Sequence, residues 1–472
     1  MDQTFYFYDL ETSGISPKEH RIMQFAGQRT DMNLKPIGKP DNILIKLSDE
    51  ILPDPQAVIV TGITPQKTIQ DGISEAEFLR IFNETIVQPN TIFCGFNTVR
   101  FDDEFMRYTL WRNYYDSYEW QWRDGCSRWD MLDVARLTRA LRPDGISWPV
   151  DSEGKSVNKL ELITQVNNLA HEDAHDALSD VNATIAVARL IKSKQPKLFE
   201  YLLSIRGKKD VEAFIDANPL FVHTSGRLPA DYEKTAVMTK LFDHPAQSGA
   251  AIAYDLRQDP RQLQNKSASQ LSELFSNSRE NGLFVKTIRY NRCPALAPVQ
   301  VLSEDNKKQL AIDLEVSAKH HKILHGDKQL LETIQKAVAD AHSAMQQSFG
   351  NEKYAEARLY DSFIDGGDKT KASVVRAADD AELASMPNEF SDPRLREMLS
   401  RYKARNYPQI LSDEERIEWE QYRHDYLLGG EQASRFAKFA NQMQEVIAQN
   451  KGEHDFLLQE LQLYAESILP TD

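Results

Sequence analysis

An α/β domain, a small β-rich domain and a helical C-terminal part, in that order, form the architecture that the sequence predicts. Three observations predict it. Strand-like runs and helical apolar spacing are mixed from residue 4 to about 195. Short strand candidates separated by turn-rich pieces follow KSKQPK, and after GGDKTKAS the spacing is helical to the end. At 472 residues the chain exceeds what one core normally serves. The boundaries expected are 1–195, 196–350 and 351–472.

In the first domain TFYFYDLE, IMQFAGQRT, NILIKL and TIFCGF read as strands, the early ones able to pair as a meander. Helical spacing follows Ile73, Val99, Asp130 and His175, and Asp144 to Lys155, rich in Gly, Pro and Ser, is a loop. In the second domain LFVHTS, KTAVMTKLF, AAIAYDL and GLFVKTIRY read as strands, with helices around Asn306 and Lys328. In the third, Ser412 and Glu415 form a capping box opening a helix on which Ile417, Tyr422 and Tyr426 share a face, and Gly429-Gly430 closes it.

Composition narrows the class. With 41% hydrophobic and 27% charged residues and no run of eighteen apolar residues, the expectation is a soluble protein with no membrane association. The start has no basic n-region, so no signal peptide is expected. Three scattered cysteines, Cys94, Cys126 and Cys293, argue for a reducing compartment and a cytoplasmic protein. The net charge of -15 opposes a polyanionic partner in bulk, but a local groove can still be basic.

The chemistry lies in the acids. Asp9 and Glu11 of YDLET sit at i and i+2 of a strand, so both project from one face and repel. Acid pairs end many solvated strands; here Phe5, Phe7 and Tyr8 make the strand buried on both faces, which places the pair at the end of a central strand. In FNTVRFDDEF, after the strand ending at Phe96, Asp102 opens a helix. Two readings stay open for it: a third carboxylate aimed at the sheet edge, or a helix cap contributing about 1 kcal/mol. In AHDALSDVNATIAVARL, His175 and Asp180 would stand about 140° apart on one helix. They meet only if His175 lies in the loop before the helix; otherwise it is an exposed polar residue. Ala177, Val181, Thr184 and Ala188 form the stripe that fixes this helix on the core, leaving Asp180 near the buried side. Four converging acids need compensation. Two divalent cations with oxygen preference, Mg²⁺ or Mn²⁺, supply it, and His175 is the natural general base for a water at neutral pH.

YDLET, NTVRFDDEF and HDALSD, in this order, resemble the three motifs of the DEDDh exonucleases, and TGITP at Thr61 to Pro65 is similar too. The resemblance implies an RNase H-like fold, two metals, Asp9, Glu11, Asp102 and Asp180 as the metal-site acids, and His175 as the base. SRWDMLDV, ALRPDGISWP, NRCPALA and RYKARNYP extend the likeness over nearly the whole chain to the bacterial exodeoxyribonuclease I family. That implies an SH3-like second domain, a helical third, and processive 3′-to-5′ hydrolysis of single-stranded DNA to 5′-mononucleotides in repair and recombination, by a monomer.

Four of the six tryptophans fall between Trp111 and Trp129, interleaved with Arg112, Arg123 and Arg128. Rings stack on bases and arginines meet phosphates, although some of these rings must form a satellite core. By the resemblance, Tyr118 and Trp122 stack on DNA, Arg107 and Arg136 contact its backbone, and Glu11 joins substrate binding. Lys159 stands where the family has a substrate-binding arginine, which keeps the charge and loses the planar fork. Arg142 lies where the family receives the acidic C-terminal tail of single-stranded DNA-binding protein; the alternative is a surface arginine at a helix end. Arg394, Arg396, Arg401, Lys403 and Arg405 are a basic stretch, read as either groove wall or solvated helix face. An exoribonuclease of the same superfamily is disfavoured because its resemblance stops with the first domain, and a non-catalytic DNA-binding scaffold because all four acids are present.

Overall fold

The computed structural model describes residues 2–170, 176–276, 284–348, 352–430, 433–450 and 452–470. Its organising element is β1 (Thr4–Thr12), the middle strand of a five-stranded sheet ordered β3-β2-β1-β4-β5. Strands β2 (Ile22–Thr30) and β3 (Asp41–Leu44) continue from it as the antiparallel meander expected, while β4 (Thr91–Gly95) and β5 (Ser127–Asp130) add in parallel on its other side.

Residues Phe5 to Tyr8 of β1 are no more than 3% exposed because the strand has a core on each face. Phe5 and Phe7 join Trp129 and the helix Ala177–Lys194, through Ala177 and Val181. Tyr6 and Tyr8 join Phe25, Phe78, Phe82, Phe93 and Trp120. Parity along the strand then puts Asp9 and Glu11 on the Phe5 and Phe7 side, where the chain runs out of core and turns. The sheet tolerates this packing through a close approach: a Cβ on Gly27 would lie 2.2 Å from the Tyr6 hydroxyl, which donates to Asp41 at 2.7 Å.

The second sheet is ordered β10-β6-β7-β8-β9 and antiparallel throughout. Its strands are β6 (Phe221–Thr224), β7 (Thr235–Asp243), β8 (Ala250–Asp255), β9 (Val285–Arg289) and β10 (Ala295–Pro298). Two four-residue strands, β5 and β10, escape the sequence reading. Each is too short for a periodic signal and is set by its neighbour, β4 for one and β6 for the other.

Helices dominate from residue 366 onward. Ser412 and Glu415 make the reciprocal capping box and Gly429 closes the helix Asp413–Leu428, as the sequence predicts. Its inward face differs from the expectation. Trp419, Arg423, Tyr426 and Leu427 are buried while Ile417 is 67% exposed, because five positions separate Ile417 from Tyr422 and rotate it about 140° away.

This third region is welded to the first. Tyr426, Leu427 and Leu461 share a cluster with Met23 and Leu47, and Leu395 and Met398 share one with Trp111 and Tyr114. Between the clusters Arg405 donates from Nε to Glu50 at 2.8 Å and from Nη2 to Glu356 at 2.9 Å. Arg401 bonds Glu356 at 2.8 Å, Lys403 bonds Glu415 at 2.9 Å, and Arg394 is buried on Asp392 and the carbonyls of Arg358 and Ser362. The basic stretch is therefore neither groove wall nor solvated face, except at exposed Arg396; it is an internal ion-pair seam, which the low dielectric there requires. Among the described residues no helix is long and apolar enough to cross a membrane.

Candidate active site

At the end of β1 the carboxylate oxygens of Asp9, Glu11 and Asp180 lie within 4.8 Å of one another. Two elements bring them there. The strand delivers the pair on one face, and the helix Ala177–Lys194, packed along β1 by its buried Val181, Thr184 and Ala188, presents Asp180 from its first turn. Asp102 comes from a third element, the first residue of the helix Asp102–Arg112. The helix-cap alternative falls, because Phe101 holds the cap position and Asp102 Oδ1 instead accepts from the backbone N–H of Leu10 at 3.1 Å. That bond ties the third carboxylate to the residue between the first two. His175 lies outside the described residues.

The charges press on one another. Burial, then Asp180, Asp102 and Asp176, push the Glu11 carboxyl up to about 9. Burial, then Asp102, Glu11, Asp180 and Asp176, raise Asp9 well above the usual carboxylate range. Asp102 is pushed up to about 8, chiefly by burial against the pull of its own and the Leu10 amides. A cluster of oxygen donors that hold protons so tightly is short of positive charge, and the cluster can hold a hard metal ion.

The residues expected to meet DNA divide sharply. Trp122 is 63% exposed, whereas Trp111, Trp120 and Trp129 are core residues, the split the aromatic run required. Tyr118 is half-buried with the Arg107 guanidinium 5.3 Å from its ring centre. Arg107 is itself 4% exposed and donates to Glu104 at 2.6 Å and Gln121 at 3.0 Å, so it sits beneath the tyrosine. Arg136 pairs with Asp133 at 2.8 Å, and Lys159 projects into solvent with Glu161 3.6 Å away. Arg142 bridges domains, donating to the carbonyls of Leu141 at 2.6 Å and Val301 at 2.9 Å. Two of the interleaved arginines are not available to phosphates. Arg112 is buried in a two-bond pair with Glu75, and Arg128 is buried on Asp103, whose other oxygen accepts from the Tyr8 hydroxyl at 2.6 Å.

Comparison with known proteins accounts for all three regions. Residues 6–188 match the exonuclease family, 206–340 the exonuclease I SH3-like domain, and 353–468 the exonuclease I C-terminal domain. Exodeoxyribonuclease I of Haemophilus influenzae is 38% identical over 435 residues, which is 90% of this chain and 91% of that protein. The chain belongs to the exodeoxyribonuclease I family. It is a DNA exonuclease, and its first domain is of a metal-dependent kind. Exonuclease I of Escherichia coli in complex with a dA16 oligonucleotide matches it with a TM-score of 0.93 at 34% identity, covering 99% of this chain and 100% of the other. A structure of SSB/exonuclease I with the inhibitor CFAM matches at 0.89 and 34% identity, with the same coverage.

This family member carries one further arrangement at the site that the sequence reading missed. Asp176 caps the helix of Asp180, accepting from Ser179 N at 3.1 Å, and its other oxygen accepts from Gln24 Nε2 at 3.2 Å. Gln24 lies on β2 directly opposite Glu11 and also donates to Asn42 at 2.9 Å. An aspartate three residues before a serine is an ordinary cap signal in sequence; its tie to a strand 152 residues away is not legible there.

Proposed function

We propose that this protein hydrolyses single-stranded DNA processively from the 3′ end, releasing 5′-mononucleotides, with Mg²⁺ at Asp9, Glu11, Asp102 and Asp180. The observation that carries the reading is the convergence of three carboxylates within 4.8 Å, with the fourth bonded to the backbone between the first two. The donor set fits the metal: it is all oxygen, anionic and overcrowded, which favours Mg²⁺ or Mn²⁺ over ions that prefer nitrogen or sulfur. Divalent cations, when bound, supply Lewis acidity to the phosphoryl oxygens and offset the carboxylate charge. The Leu10 amide keeps Asp102 aimed at the cluster, and the Ala177–Lys194 helix keeps Asp180 there. His175 takes a proton from the attacking water, whose oxygen forms the new bond to the terminal phosphorus. The bond from phosphorus to the 3′ oxygen of the preceding nucleotide breaks, so the phosphate leaves on the released nucleotide. Trp122 and Tyr118 hold bases by stacking, which needs no net positive charge on the protein. Arg142 receives the acidic tail of a single-stranded DNA-binding protein, in keeping with the SSB/exonuclease I assembly of the relative.

The deciding experiment is a time course on single strands labelled at either end, with and without EDTA. Immediate release of the 3′ label, retention of the 5′ label without a ladder of intermediates, and arrest by EDTA are expected. Early release of the 5′ label as mononucleotide, or turnover in EDTA, would overturn the proposal. For Arg142, an acidic-tail peptide that binds Arg142→Ala as tightly as the parent would remove that assignment.

A further inference from the structure

The second domain holds a pair of imidazoles that the nuclease chemistry does not use. His321 and His325 stand one helical turn apart on the helix Leu314–Gly326, at the i and i+4 spacing that stacks side chains on one face. Their ring centres are 4.4 Å apart. Both turn toward a single atom of β7: Thr239 Oγ1 is 2.9 Å from His321 Nδ1 and 3.3 Å from His325 Nε2. Neighbouring His320 does not join them; its Nδ1 bonds the carbonyl of Leu256 at 2.8 Å.

Two ring nitrogens converging on one hydroxyl are more than a hydrogen bond needs. Thr239 has one proton to donate, and the carbonyl of Lys240 is a third group near it at 3.5 Å. Burial lowers the pKa of both histidines; for His321 the charge of His325 adds to it, and for His325 a hydrogen bond to the Lys240 backbone opposes it without reversing it, so each keeps a lone pair at neutral pH. The pair is reachable: His321 is half-buried and His325 exposed, although Thr239 beneath them is buried. The Lys240 ammonium is engaged elsewhere, on Asp216 and Asp243 at 2.7 Å each.

We propose that His321 and His325 form a chelating site for a borderline transition-metal dication, Zn²⁺, Ni²⁺ or Cu²⁺, seated beside the Thr239 hydroxyl and clipping the helix to β7. Imidazole nitrogen selects these ions, whereas the carboxylate cluster of the first domain selects Mg²⁺ or Mn²⁺, so the two sites sort metals by donor chemistry. Water completes the coordination on the exposed side. The site binds by chelation, since the second imidazole is already in place when the first engages.

The test is a Cu²⁺ titration of the full-length protein in saturating Mg²⁺, followed by electron paramagnetic resonance. One equivalent showing hyperfine coupling to two imidazole nitrogens is expected. His325→Ala, at an exposed position, loses one nitrogen from that signal and weakens binding by about tenfold or more, while its Mg²⁺-supported exonuclease rate stays at the parent value. Zn²⁺ raises the thermal midpoint of the parent and not of His325→Ala. The proposal fails if the parent gives no two-nitrogen signal, which would leave a hydrogen-bonded tie to Thr239 only. It fails equally if His321→Gln/His325→Ala retains the signal.

Discussion

Burial, with the neighbouring acids adding to it, holds protons on the carboxylates of the cluster. With the Glu11 carboxyl at about 9 and Asp102 at about 8, the folded protein keeps protons that the unfolded chain has released above about pH 4. Stability of the metal-free protein therefore falls as pH rises across that window, since the folded state binds more protons than the unfolded one. Cation binding expels those protons. Mg²⁺ should raise the thermal midpoint more at about pH 8.5 than at about pH 6, and equal shifts in scanning calorimetry would refute the account. Gln24 gives a second test. It fixes Asp176, the cap of the helix that carries Asp180 and the residue after His175. Gln24→Ala should lower kcat roughly tenfold with KM and DNA affinity unchanged, because misplacing a reacting group costs rate rather than binding. A matched loss of DNA affinity would show a structural role instead. The meeting of Asp9, Glu11 and Asp180 was legible because strand parity and the apolar stripe of a helix are local, whereas Asp102 stayed open until its bond to Leu10 was seen. Partners were not legible: Arg112 finds Glu75, and Arg128 finds Asp103, across 37 and 25 residues that no local pattern records.

Length alone did not decide which elements were legible, since four-residue β3 and β6 were read and four-residue β5 and β10 were not. The aromatic residues of β1 announce two buried faces, and the capping box at Ser412 names its helix by chemistry alone. Four-residue β5 and β10 are placed by their pairing with β4 and β6 rather than by a pattern of their own. At this scale the pairing of β1 and β2 makes a sharp prediction. The extra methyl of Gly27→Ala would meet the Tyr6 ring, which is 2% exposed and held by Asp41. Overpacking of this kind costs about 1–3 kcal/mol, read as a lower midpoint in urea; an unchanged midpoint would mean that the ring can swing clear.

Across the whole molecule, the first and third regions are held together by charge buried where they meet. Burial pushes Glu356 up, yet Arg405 and Arg401 outweigh it and hold that carboxyl at about 2. Among the described residues, Arg405→Met would leave Glu50 with Arg21 at 3.5 Å, and Glu356 with Arg401 at 2.8 Å, as ion-pair partners. Removing one partner from such a seam costs about 3–5 kcal/mol, so the variant should melt earlier and release a helical C-terminal fragment first under limited proteolysis. Simultaneous loss of all regions at the parental temperature would contradict it. The sequence showed a basic stretch here and the structure turned it inward, since only the fold could tell which acids lay opposite.

The exposure of Trp122 beside five shielded indoles has a practical corollary. Collisional quenchers such as acrylamide should dim mainly the red edge of the intrinsic fluorescence, where a solvated ring emits. An oligonucleotide lying across that ring would protect it, so the protein's own light becomes a gauge of occupancy. Trp122→Phe should abolish the protectable fraction; quenching that oligonucleotides leave untouched in the parent would place the strand elsewhere.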